Sequence, residues 1–315
     1  MKDGSMLDHN PEKTVKPGYA LFAGGAAIVT VTILIIAKAI VYWHGGSVSV
    51  LASLTDSIID SAMSVMNFMA IRYSMKPADE EHRHGHGKAE GLAAMFQGAF
   101  IFGAGVFLVL ESLARFAGHA PVSDYWSGIA VMVLAIVLSF ALVAIQNYSL
   151  RHAPSLAVEA DKAHYAGDIV INGGVIVVLF ALYFGAPAWL DPAFALAVAG
   201  WLAHTALNIV KKGIDMLLDR EPPDDLRKNI LEIAATNKDV RAVHDLRTRK
   251  SGMQLYITFD IEVDPDLSLR KAHAISLLVE RAIYREFPNA EIMIHVDPHG
   301  IPHEETRHNI AGVHH

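Results

Sequence analysis

Long, almost uncharged apolar blocks recur through the first two thirds of the chain, and they set the terms for any fold. A helix needs about 20 apolar residues to cross about 30 Å of hydrocarbon. Six blocks approach or exceed that length: Tyr19 to Val41, Ser47 to Tyr73, Ala89 to Ala114, Tyr125 to Leu150, His164 to Leu190 and Ala193 to Val210. They are expected to be helices, because hydrocarbon offers no partner to an open backbone N–H or C=O. The first domain is therefore read as a six-transmembrane-helix bundle in a lipid bilayer, over residues 19–212. Residues 1–18 are polar, carry Pro11 and Pro17, and lack the order of a cleavable signal, so they read as a disordered cytoplasmic tail.

The loops carry an orientation signal. Those after the first, third and fifth blocks hold no Lys or Arg beyond Arg115 at an edge. The opposite side holds Lys13, Lys16, Arg72, Lys76, Arg83, Lys88, Arg151, Lys162, Lys211 and Lys212. The positive-inside rule then puts both termini in the cytoplasm, and Trp43, Trp126 and Trp189 form an aromatic belt at the other rim.

Composition changes at Glu221-Pro222-Pro223. With 213–220 as a linker, residues 221–299 read as a soluble αββαβ domain, an α+β fold of ferredoxin-like order. The helices are expected over Asp224–Thr236 and Ser268–Phe287, the second with Ile275, Leu278, Val279, Ala282 and Ile283 inward. Strands are expected over Arg241–Arg249, Gln254–Val263 and Glu291–Val296. In the middle strand Leu255, Ile257, Phe259, Ile261 and Val263 share one face, and Tyr256, Thr258, Asp260 and Glu262 the other. Residues 300–315 read as a disordered tail with solvated His303, His308, His314 and His315.

The polar residues inside the apolar blocks carry the chemistry. Asp56 and Asp60 lie one turn apart on one helix face, and His164 and Asp168 repeat the spacing. Ionised groups in hydrocarbon are costly, and Lys38, near the end of its block, is the only interior cation to balance them. Three carboxylates and an imidazole from two helices can instead make a tetrahedral site for zinc or another first-row dication. There are 17 His and no cysteine, so disulfides and thiolate ligands are excluded. The net charge of −7 gives no reason to expect nucleic-acid binding. No phosphate-binding Gly-Lys-Ser/Thr loop and no nucleophile–base pair stands out, so neither an ATP-driven pump nor an enzyme is expected.

At these residues the chain resembles the cation diffusion facilitator family. The resemblance is carried by Gly46-Ser47-Val48-Ser49-Val50-Leu51-Ala52-Ser53-Leu54-Thr55-Asp56-Ser57 with Asp60. It continues in His82-Arg83-His84-Gly85-His86-Gly87-Lys88-Ala89-Glu90, in His244-Asp245-Leu246-Arg247-Thr248-Arg249 and in His295-Val296-Asp297-Pro298, and covers about residues 19–299. It implies a homodimeric exporter in the bacterial inner membrane, a secondary transporter exchanging a divalent metal for protons by alternating access. Zinc is favoured, with ferrous iron and cadmium possible, and no organic cofactor is expected.

The resemblance also assigns residues. Asp56, Asp60, His164 and Asp168 match the transport site, and Asp79, His82 and His86 a loop site expected to be hydrated and weak, with His84 a bystander. His244, His273, His295 and Asp297 match a cytoplasmic site that bridges subunits and senses metal. Asp260 stands there where close relatives carry His, a harder and anionic donor. Lys88 and Asp219 match a charge pair joining the third and sixth helices at the dimer surface. His204 has no match and reads as a packed, hydrogen-bonded His. A membrane-anchored metal sensor or scaffold without transport, and a carrier of organic cations, are the competing readings. The first would not need all four membrane ligands, and the second would need an aromatic-walled pocket.

Overall fold

The computed structural model describes residues 16–45, 48–116, 125–187 and 189–300. The ends of the two tails lie outside these, with the His residues at 303, 308, 314 and 315. The chain divides into two compact units near the Arg220–Glu221 junction, which are described separately.

The first unit is six helices: α1 (Gly18–Gly45), α2 (Val48–Ser74), α3 (Ala89–Phe116), α4 (Tyr125–His152), α5 (Leu156–Tyr183) and α6 (Leu190–Leu217). At 1.5 Å per residue each is roughly 40 Å long, enough to cross a bilayer. Among the described residues, α1, α3, α4 and α6 each hold a stretch long and apolar enough to qualify as a span by composition. The helices α2 and α5 carry the polar residues of the expected site. Large apolar side chains point outward around the bundle, among them Phe22, Val29, Phe96, Phe107, Val137 and Val177. An outward apolar coat suits a hydrocarbon solvent.

The fifth and sixth helices differ most from the expectation, the fifth ending at Tyr183 and not at Leu190. The fifth helix starts at Leu156, eight residues before His164. Ser155 caps it, its Oγ accepting from Val158 N–H (3.3 Å), and the Glu90 carboxylate accepts from Ser155 O–H and Leu156 N–H (both 2.8 Å). A hydroxyl cap and an anion at the N-terminus satisfy the open N–H groups and the helix dipole. Apolarity alone does not show this polar first turn. The sixth helix runs to Leu217, through most of the expected linker. Nothing in 213–217 stops it, since Gly213 packs on α3 and the prolines come only at 222 and 223.

That α3–α6 contact rests on glycine. Gly91, Gly98 and Gly105 recur every seventh residue on α3 and all face α6. A Cβ at Gly98 would stand 2.6 Å from Val210 Cγ2 and 3.1 Å from Ala206 O. Small residues at such a seam let two backbones approach closely, which drives packing where lipid removes the hydrophobic force.

The second unit holds α7 (Asp224–Ala235), β1 (Ala242–Ser251), β2 (Gln254–Val263), α8 (Leu269–Glu286) and β3 (Ala290–Pro298). The sheet order is β1-β2-β3, with β2 and β3 parallel. Ile230 and Ala234 of α7 and Ile275, Val279 and Ile283 of α8 pack on Leu255, Ile257, Phe259, Ile261 and Val263. Leu278, expected inward, is exposed. The buried stripe repeats every fourth residue, and Leu278 falls at its edge.

Candidate metal sites

The helices α2 and α5 meet along an antiparallel polar seam. Asn67 Nδ2 donates to Ala157 O (3.1 Å), and Ser64 Oγ lies 3.0 Å from Tyr165 Oη. One turn further, His164 Nε2 lies 3.2 Å from Asp60 Oδ1 and 3.8 Å from Asp168 Oδ2. One donor atom each from Asp60, His164 and Asp168 falls within a 4.8 Å group. All three are partly buried, and the His164 ring meets Phe100 and Tyr165 edge-on. Asp56 is in α2 one turn before Asp60, but its side chain lies outside the described residues. Two oxygens and one nitrogen at this spacing can hold a zinc-like ion with room for a fourth ligand. Lys38 of α1 is buried and donates to Ser57 Oγ (2.6 Å).

A further carboxylate was missed. Asp161 is buried one turn before His164, accepting from Gln146 Nε2 of α4 (2.8 Å) and Gln97 Nε2 of α3 (3.5 Å). A helix starting at His164 left Asp161 outside the span. The signal was available in Pro154-Ser155 followed by Glu159, a helix start with an acidic first turn.

The loop between α2 and α3 brings Asp79, His82 and His86 together. Asp79 Oδ1 lies 3.3 Å from His82 Nδ1, and Asp79 Oδ2 lies 3.3 Å from His86 Nε2. Asp79 Oδ1 also accepts from His82 N–H (2.6 Å) and Glu81 N–H (3.1 Å). The backbone bond from His82 is the main reason its carboxyl sits below the ordinary carboxylate range, and the nearby imidazoles act in the same direction. The expectation of a hydrated loop holds for Asp79 and His82 but not for His86. Its ring is buried edge-on against Tyr73, because the loop folds back on the end of α2. His84 lies outside the group. Lys88 Nζ bonds to Asp219 Oδ2 (3.0 Å) and to Leu217 O (3.2 Å), joining the start of α3 to the chain just after α6. His204 Nε2 lies 3.0 Å from Asn208 Nδ2, one turn along α6.

In the second unit the sheet face opposite the helices gathers acids and imidazoles. Asp260 faces His295 and Glu262 faces Asp297 in the β2–β3 register. Asp260 and Asp297 are buried although they are on the outer face. His295 Nε2 lies 3.0 Å from Asp297 Oδ1, and His244 Nε2 lies 3.9 Å from Asp297 Oδ2. His244, Asp245 and Asp260 bring donor atoms within 4.8 Å. Asp245 joins because its left-handed backbone (φ 50°) breaks the alternation of β1, so two consecutive residues reach one cluster. His273 is not brought in; it sits exposed on α8. Glu262 lies between two imidazoles, 3.4 Å from His244 Nε2 through Oε1 and 2.6 Å from His299 Nδ1 through Oε2, and Asp245, Glu262 and His299 were not singled out from the sequence.

Residues 26–218 match the family model described as the cation efflux transmembrane domain, and residues 222–299 the one described as the cation efflux protein cytoplasmic domain. The chain is 42% identical to the cation-efflux pump FieF of Cronobacter sakazakii, covering 87% of this chain and 91% of that protein. It is 40% identical to FieF of Yersinia enterocolitica, covering 93% and 98%. Among solved structures, the zinc form of the putative zinc transporter CzrB is 29% identical, covering 27% of this chain and 96% of that one, with a TM-score of 0.24. Both domains and nearly the whole length are thus accounted for, and the chain belongs to the cation efflux, or cation diffusion facilitator, family of membrane transporters.

Proposed function

We propose that this transporter exports a divalent transition metal, zinc first, from the cytoplasm across the bacterial inner membrane in exchange for protons. The observation that carries this reading is the convergence of Asp60, His164 and Asp168 between two helices of a membrane bundle. With Asp56, the set is three carboxylates and one imidazole. One dication leaves it close to neutral, so protons can replace the metal when it departs. Nitrogen and oxygen donors without thiolate suit zinc and admit ferrous iron and cadmium. The α2–α5 seam is the element whose opening to either side would expose the ion in turn, giving alternating access. Both termini face the cytoplasm in this reading.

The acidic and imidazole cluster on the second unit is a regulatory metal site, and its domain holds a homodimer together. Zinc there favours the transporting arrangement, a coupling between two ligand sites. The competing sensor reading is disfavoured by the membrane donor set, which a sensor would not need. Vesicles of reconstituted protein with an imposed pH gradient test the choice. Gradient-driven zinc flux that disappears in Asp56→Ala supports the exporter. No flux in the unaltered protein, with zinc still bound by the second unit, would sink it.

A further inference from the structure

Glu90, the second residue of α3, is fully buried, and its carboxylate holds the ends of two other helices. Oε1 accepts from the hydroxyl of Ser74, the last residue of α2 (3.2 Å). Oε2 accepts from Ser155 O–H and from the N–H of Leu156, the first residue of α5 (both 2.8 Å). Glu90 thereby closes one end of the polar seam between α2 and α5. The seam runs from Ser74 and Ser155, past Asn67 with Ala157 and Ser64 with Tyr165, to Asp60 with His164. From Leu156 to His164 is about 12 Å of helix, which moves as a rod. The grip at its start therefore sets where His164 and Asp168 stand against Asp60. Metal donors tolerate little error, about 0.2 Å in distance.

The loop cluster meets the same grip from both sides. The His86 ring packs edge-on against Tyr73, the neighbour of Ser74, with ring centroids 4.7 Å apart. The backbone of His86 and Gly87 starts α3: His86 O accepts from Ala89 N–H (3.0 Å), and Gly87 O from Glu90 N–H (3.2 Å). We propose that Glu90 is a positioning residue for the transport site and passes the state of the loop site on to α5. The link rests on reading Asp79, His82 and His86 as a metal site beside the proposed transport site. A metal on those three side chains fixes His86. His86 in turn braces Tyr73 on α2 and the first turn of α3, from which the Glu90 carboxylate reaches α5. Affinity at the transport site then depends on the loop, a coupling between two ligand sites. An amide can keep every contact of the carboxylate, its NH2 donating to Ser74 Oγ and its oxygen accepting from Ser155 and Leu156. Glu90→Gln therefore preserves the grip, and Glu90→Met, of similar length, removes it.

The test is zinc flux in vesicles of the reconstituted full-length protein under an imposed pH gradient, read as the zinc concentration that gives half the maximal rate. That concentration does not depend on how much of the protein folds, so it separates positioning from plain loss of structure. Glu90→Met is expected to raise it about tenfold, the lower end of what losing a group behind a metal ligand costs. Glu90→Gln should stay close to the unaltered value. His82→Ala, which opens the loop site, should raise it in the unaltered chain and in Glu90→Gln but add nothing in Glu90→Met, because linked residues are not additive. Ser74→Ala frees the α2 side while leaving the α5 cap in place, and it takes the role of Glu90→Met if that variant does not fold. Half-saturation unchanged in Glu90→Met would remove Glu90 as a positioning residue. The same shift by His82→Ala with and without the Glu90 grip would overturn the link and leave both sites standing. His82→Ala without effect in the unaltered chain would remove the loop site and the link together. Absence of zinc flux in the unaltered protein would be the failure of the exporter reading itself, and the link would fall with it.

Discussion

His164 Nε2 of α5 stands 3.2 Å from Asp60 Oδ1 of α2, so the two helices that carry polar residues inside the bundle share one donor pair. Removing the charge while keeping the shape isolates its role. Asp60→Asn should lower zinc transport in vesicles by more than about tenfold, since even the loss of a group behind a metal ligand commonly costs 10- to 100-fold in affinity. Helix content in detergent should not change. Transport at the unaltered rate would remove Asp60 from the site.

Behind that pair, Asp161 ties α5 to α3 and α4 through two amides. Replacing it by Leu leaves Gln97 and Gln146 as buried amides without their shared acceptor, at a cost of about 1–3 kcal/mol each. Asp161→Asn keeps one oxygen acceptor. The expected order of thermal stability in detergent is therefore unaltered protein, then Asp161→Asn, then Asp161→Leu. Equal midpoints for all three would mean that the clasp contributes nothing.

The two units were legible in the sequence to different degrees. Core strand β2 was read with its true bounds, because Leu255 to Val263 alternates without interruption. Asp56, Asp60, His164 and Asp168 stood out because charges are rare in apolar blocks. What stayed hidden depends on the chain meeting itself. The start of α5 is stabilised by Glu90, more than sixty residues away, and the placement of Asp161 follows from it. Asp245 reaches the sheet cluster only through a left-handed backbone, and His299 only because β3 runs parallel to β2. Periodicity along one strand carries neither fact.

The depressed carboxyl of Asp79 has a pH signature. Its folded value lies below its unfolded one, so the carboxylate contributes to loop order above the ordinary Asp range, and this is lost as pH falls through the lower folded value. The amides of Glu81 and His82, which donate to Asp79 Oδ1, report it. Their protection from hydrogen exchange, corrected for intrinsic rates, should hold from neutral pH to below pH ~4 and fall only then. Protection lost well above that range would contradict the assignment. Asp79→Asn, a weaker neutral acceptor, should show reduced protection at every pH.

The glycine seam between α3 and α6 makes a prediction of the opposite kind, in which adding atoms is the injury. At Gly98 even one methyl group would meet Val210 Cγ2 at 2.6 Å and Ala206 O at 3.1 Å. The valine end can turn aside, but the carbonyl belongs to the α6 backbone and can yield only if the helices separate. Gly98→Ala should therefore be mildly destabilising. Gly98→Leu, whose bulk must go between the helices, should cost about 1–3 kcal/mol or more. Gly103, on the same helix, has nothing within 4 Å of its added Cβ, and Gly103→Ala is the control. Because Ala favours helix over Gly by roughly 1 kcal/mol, that control should be neutral or stabilising. Thermal melts in one detergent compare all three. A Gly98→Leu protein as stable as Gly103→Ala would show that close α3–α6 approach is not what holds this half of the bundle.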